Sequence, residues 1–156
     1  MVSVLLHLRF NLLRNKFKMK TIERLLRLSG GLNELDCFER VFVYKKPYLP
    51  IYVRYLGTGP RDYPLIAVGQ FFYKKEGEEL ESEVTFEIDT STADQWGWYP
   101  VSFRLGDPPM SHACAWTDKD GFFQFDHTIE TGINTIVSTW EGILEARGYL
   151  EIDTLL

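Results

Sequence analysis

From residue 83 the chain alternates without interruption: Val84, Phe86 and Ile88 are apolar, while Glu83, Thr85, Glu87 and Asp89 are polar. A period of two marks a strand with one buried face, so the apolar side should be sealed and the carboxylates should point to water. Leu65–Lys74 reads as the other arm of a hairpin with its tip near Glu76-Gly77. Further strands are predicted at Phe38–Lys45 and Leu49–Leu56, separated by Lys46-Pro47, which must break pairing or sit at an edge. In the next segment Tyr99, Val101, Phe103 and Leu105 alternate with Trp98, Pro100, Ser102 and Arg104, which places Trp98 and Arg104 together on the outward side. Ser111–Thr117 and Phe122–Asp126 form a last hairpin over Asp118-Lys119-Asp120-Gly121.

The two ends of the chain carry a helical period. Leu5, Leu8, Leu12, Asn15, Met19, Ile22 and Leu26 recur at steps of three and four until Gly30-Gly31. A second reading starts at Met19, with Thr21 capping a short helix 22–29 and residues 1–18 forming a basic leader upstream of the true start. A basic, acid-free, amphipathic leader also suits a transit peptide or a membrane-surface helix. At the other end Ile129, Ile133, Ile136, Val137, Trp140 and Leu144 share one face, Asp126 or Thr128 caps the start and Gly148 stops the helix. The prediction is α+β: an antiparallel meander of about six or seven strands, with N- and C-terminal helices packed on one face. Residues 19–156 form a single domain in this reading, and 1–18 an extension.

Charge sharpens this picture. Residues 1–20 carry five basic side chains (Arg9, Arg14, Lys16, Lys18, Lys20) and no acid, whereas 76–94 carry eight acids and no Lys or Arg. The net charge of −5 argues against nucleic acid as a direct partner. Two cysteines, Cys37 and Cys114, allow at most one bridge, which suits a reducing cytoplasmic setting. No apolar run reaches the ~20 residues of a spanning helix, so no membrane-spanning segment is expected and no membrane is among the partners expected for the domain.

The run Tyr48-Leu49-Pro50-Ile51 to Gly59-Pro60, then Ile66-Ala67-Val68, Phe72-Tyr73, Glu83–Asp89, Trp98-Tyr99-Pro100-Val101-Ser102-Phe103 and the Trp140 helix resembles a family of small uncharacterised domains encoded on bacterial plasmids and phages. The resemblance covers about residues 35–148. It implies a mobile-element setting and an accessory role, and it carries no catalytic residue.

Candidate chemistry is sparse. Glu83, Glu87 and Asp89 would form a carboxylate ladder with a spacing of roughly 7 Å, extended around the turn by Glu76, Glu78, Glu79 and Glu81. Such a ladder could compete for a basic groove that normally takes nucleic-acid phosphates. Exposed hairpin faces are also charged simply for solubility. Trp98 and Arg104, residue types enriched at binding hot spots, complete the candidate partner surface. His112, Cys114 and His127 could hold zinc, but no ligand spacing typical of zinc supports them. Asp118-x-Asp120-Gly121 lacks the distal ligands of a calcium loop and reads as a turn.

The function expected is therefore a small cofactor-free accessory protein that binds another protein. Its sharpest form is an acidic inhibitor of a host nucleic-acid-handling or defence enzyme. The alternatives are a metal-dependent hydrolase using His112, Cys114 and His127, and a homodimeric ligand-binding domain.

Overall fold

A computed structural model of the protein describes residues 18–35 and 40–149. The expectations for the leader, apart from Lys18, and for Cys37 fall outside those residues. Helix α1 (Lys20–Leu28) is followed by a 3-10 turn (Leu32–Glu34) and then by strands β1 (Arg40–Val43), β2 (Ile51–Thr58), β3 (Pro64–Lys74), β4 (Gly77–Asp89), β5 (Gly97–Leu105) and β6 (Met110–Ala113). These six strands form one antiparallel sheet in the order β1-β2-β3-β4-β5-β6. A separate two-stranded ribbon pairs β7 (Ala115–Thr117) with β8 (Phe123–Phe125), and helix α2 (His127–Ala146) follows. The class is α+β and mostly antiparallel sheet.

Two boundaries differ from expectation for identifiable reasons. Strand β4 begins at Gly77, although Gly77–Ser82 shows no apolar alternation. Pairing with Phe71–Lys74 and the Lys74–Glu79 ion pair carry it to the hairpin tip. The strand expected over Ser111–Thr117 is broken at Cys114, whose N–H donates to the Val101 carbonyl at 2.8 Å and whose carbonyl accepts from Asp126 N. That residue is where the chain leaves the main sheet and enters the ribbon.

Register separates the sheet residues into two faces. Val84, Phe86 and Ile88 lie beside Val68 and Ile66 of β3 and beside Phe103, Pro100 and Trp98 of β5. They join Ile22, Leu25 and Leu26 of α1 and Ile133, Val137 and Leu144 of α2 in one buried core. A β-bulge in β5 decides the fate of Trp98. Thr85 pairs with Ser102 but Phe86 pairs with Pro100, so Val101 is an extra residue and the alternation inverts there. Trp98 is therefore 3% exposed, packed edge-on against Phe86 (ring centroids 5.1 Å) and donating from Nε1 to Glu23 at 3.0 Å. The expectation that Trp98 shares an outward face with Arg104 is corrected by this one residue.

The start of α1 is also capped differently. The helix begins at Lys20, its N-cap residue Met19 makes no side-chain cap bond, and Thr21 is not the N-cap. Instead the Thr21 backbone N–H and hydroxyl both donate to Glu141 Oε1 of α2, at 3.0 and 2.8 Å. A first-turn N–H that the helix itself cannot satisfy thus finds its acceptor on the other helix. Asp126 does cap α2, accepting from Ile129 N at 3.0 Å.

Glu141 is buried, its Oε2 has no hydrogen-bond partner, and burial raises its pKa against the opposing effect of the Thr21 bonds. A carboxyl whose folded pKa is raised contributes stability fully below its unfolded pKa, and that contribution is lost as pH rises through the folded value. Glu141→Gln keeps an acceptor for Thr21 and cannot ionise. The variant should match or exceed the wild type in urea unfolding at pH 7, and its advantage should shrink as pH falls towards about 4. An equal deficit at both pH values would contradict the assignment.

Candidate functional site

The second face of the sheet is polar at its centre. Tyr52 on β2, Gly69 on β3, Glu83 on β4 and Arg104 on β5 stand in one cross-strand row, and Arg54, Ala67, Thr85 and Ser102 stand in the next. Neighbouring strands are ~4.8 Å apart, so Tyr52 must cross β3 to reach Glu83. It can do so because Gly69 lies beneath it: a Cβ there would run into the Tyr52 hydroxyl. The hydroxyl donates to Glu83 Oε2 at 2.5 Å, and Phe71 stacks on the ring at 4.6 Å between centroids. Burial, followed by the Glu83 bond, pushes the Tyr52 pKa well above the usual phenol range, so Tyr52 is a fixed donor.

Glu83 is 4% exposed and takes two further donors, Arg54 Nη2 at 3.3 Å and Arg104 Nη1 at 3.4 Å. Glu87, two rows further on, is 0% exposed. The β2–β3 loop folds over it, so that Arg61 N donates at 2.7 Å, Arg61 Nη1 at 3.0 Å and Tyr63 N at 3.3 Å. Gly59 allows the approach, because a side chain there would collide with the Glu87 methylene and carboxyl group. The guanidinium of Arg61 also lies 5.2 Å from the Tyr99 ring centroid, 4.8 Å from Phe123 and 5.6 Å from Phe125, which ties the ribbon to the loop.

This overturns the exposed carboxylate ladder. Glu83 and Glu87 do share one face, as their spacing requires, but arginines, backbone amides and Tyr52 cover them. A carboxylate removed from water needs charge-assisted donors, and the neighbouring strands and the loop supply them. Asp89 is half-buried and accepts from Ser91 N at 2.9 Å. Of the hairpin acids, Glu78 pairs with Arg40 at 2.8 Å and Glu79 with Lys74. Arg104, half exposed, stands on the second face as expected.

His112, Cys114 and His127 do not converge into a site. His112 is exposed on β6 and His127 is exposed at the first turn of α2. Cys114 is a buried free thiol whose Sγ donates to the Pro100 carbonyl at 3.0 Å, and burial pushes its pKa up to about 12. Among the described residues no three His, Cys, Asp or Glu side chains come together to hold a metal. Asp118 orders the turn between β7 and β8, accepting from Asp120 N, Phe122 N and Gln124.

Two other surfaces stand out. The ribbon exposes Trp116 (41%), Phe122 (69%), Phe123 (44%) and Phe125 (40%). A shallow apolar groove of about 350 Å³ opens between α2 and the sheet, with Phe103, Leu105, Ile136, Trp140 and Ile143 in its walls. No helix among the described residues is long and apolar enough to cross a membrane. No family model, no curated protein and no solved structure matches the chain.

Residue-level reading of the chain missed Tyr52, Arg54, Arg61 and Tyr63. A signal for two of them was present, because Tyr52 and Arg54 share strand parity as Glu83 and Glu87 do. The contribution of Arg61 depends on how the loop folds back, and no periodicity encodes that.

Arg61→Ala leaves a buried carboxylate without its guanidinium and should cost about 3–5 kcal/mol, read from urea unfolding. Gly69→Ala displaces the Tyr52 ring from its path to Glu83 and should cost about 1–3 kcal/mol. Wild-type stability in both variants would show that the polar face is not a coupled network.

Proposed function

We propose that the protein acts by binding another protein, with the aromatic ribbon as its contact surface. The supporting observation is the exposure of four large aromatic side chains on a ribbon whose two strands have three residues each. Phe123 and Phe125 alternate with Gln124 and stack on one side of the ribbon, with ring centroids 6.3 Å apart, while Trp116 pairs with Gln124 on the other. Folding gives no reason to leave such surface in water: each ring would contribute more if buried. Clustered exposed aromatics are what protein interfaces gather at their centres. The ribbon is also ordered by the Asp118 turn at one end and packed against Arg61 through Phe123, so a partner would meet a preformed surface.

In this reading the protein is a non-catalytic accessory module working in a reducing, cytoplasmic setting, which suits the free buried thiol of Cys114. A mobile-element origin, implied by the resemblance noted above, would make the partner a host protein. Capture of a basic groove through Glu83 and Glu87 is not part of the proposal, because both carboxylates are occupied internally.

The test is paired affinity capture from the source cell, using wild-type protein and a Phe122→Ser, Phe123→Ser double variant. The double variant should lose the partner retained by the wild type while keeping its circular dichroism and urea midpoint. Identical capture by the two proteins would remove the ribbon from consideration. Loss of self-association in the variant, seen by light scattering, would identify the partner as a second copy.

A further inference from the structure

Around Glu83 the polar face gathers more arginine and hydroxyl donors than that carboxylate uses, while two residues away on the same strand Glu81 Oε2 is a buried acceptor without a partner. Arg54 and Arg104 approach the same carboxylate from its two oxygens, each through one Nη, at 3.3 and 3.4 Å. A guanidinium carries five N–H groups, so most of the donors on both side chains remain. Arg54 Nε is buried and has no hydrogen-bond partner. In the adjacent row the Thr85 and Ser102 hydroxyls lie 2.6 Å apart. Two hydroxyls bring two protons and one serves the bond between them, so a second proton is left to donate. Glu83 is directly opposite Arg104, and Thr85 is directly opposite Ser102. Residues two apart on a strand are separated by roughly 7 Å, so the Thr85–Ser102 hydroxyls lie one row from the Glu83–Arg104 pair.

The charges agree with this count. Two guanidinium charges face one carboxylate, whose oxygens already accept Tyr52, Arg54 and Arg104. If neutralising Glu83 were the only requirement, one arginine with good geometry would meet it. The second leaves a net positive centre at a half-exposed position, since the Arg104 side chain is 51% and that of Arg54 30% accessible. The overall charge of −5 does not oppose this at contact range, because charges beyond about 8 Å are screened at physiological salt.

We propose that this face binds an oxyanion, a carboxylate or a phosphate group, held between the Arg54 and Arg104 guanidinium groups and seated on the Thr85–Ser102 hydroxyl pair. The arginines would give the charge-assisted bonds and the hydroxyl pair would fix the depth of the bound group. Glu83 keeps the two guanidinium groups close together while no ligand is present. The site does not require the ribbon to be an interface.

The experiment is titration of the full chain, followed through the arginine Nε–Hε resonances, with inorganic phosphate and with acetate at constant ionic strength set by chloride. Saturable shifts of Arg54 and Arg104 with at least one of the two anions are expected. Arg104→Gln, a change at a half-exposed side chain, should weaken that binding about tenfold or more, while Arg24→Gln on the exposed side of α1 should leave it unchanged. Preference for phosphate would assign a phosphorylated ligand, and preference for acetate a carboxylate side chain or chain terminus. Glu83→Gln removes the competing charge and should tighten binding of the preferred anion. The proposal is overturned if neither anion gives a saturable shift at tens of millimolar, or if Arg104→Gln binds as the wild type does.

Discussion

Two carboxylates inside a β-sheet face impose the main constraint on this structure. Glu83 and Glu87 are almost without solvent contact, and each oxygen lost to water must be met by a donor. The answer at Glu87 is a loop: Gly59 brings the backbone close, Arg61 and Tyr63 turn their N–H groups inward, and the Arg61 guanidinium closes the pair. The same guanidinium lies against Phe123 and Phe125, so the ribbon packs on the group that satisfies Glu87. At Glu83 the answer is a row of side chains across four strands, with Gly69 as the gap through which Tyr52 reaches its acceptor. Removing a single member exposes the cost of the others, because a buried charge loses far more when its partner leaves than the intact pair contributes to stability.

The contrast between the faces explains where function is to be sought. On the core side Ile22 and Val137 join Phe86 and Ile88 in one apolar cluster, with Glu23 bonded to Trp98 and Glu141 Oε1 to Thr21, while Glu141 Oε2 and Asn134 Oδ1 have no partner. On the other side the packing is polar and leaves donors unmatched, and the neighbouring ribbon carries aromatic side chains into solvent. An oxyanion site on a sheet face and an apolar ribbon next to it are complementary kinds of surface. The first fixes an orientation through directional bonds, and the second supplies buried area. The Cys114 thiol is held neutral against a carbonyl, and among the described residues it does not join His112 and His127 in a metal-holding group.

Much of the architecture was legible in the chain because it depends on local periodicity. The alternation of Val84, Phe86 and Ile88, the α2 stripe with its Asp126 cap, and the turn at Asp118 all appear where the residues place them. Periods fail where one residue is inserted. Val101 looks like a regular member of β5, yet the bulge there reverses the parity of everything before it and moves Trp98 from the solvent side into the core. Periodicity does not show the end of the Ser111–Thr117 run either, since the break at Cys114 is set by its bonds to Val101 and Asp126, residues on other elements.

The sequence by itself determined which residues share a face: Glu83 and Glu87 had to lie on the same side of β4, because a strand returns to a face every second residue. It could not determine what that face meets. Whether a carboxylate looks into water or onto a guanidinium depends on partners 21 to 31 residues away, and they are brought there by sheet register, a folded-back loop and two glycines. Polarity along a chain reports the side-chain chemistry, whereas burial is a property of the neighbours, and only the tertiary structure supplies those.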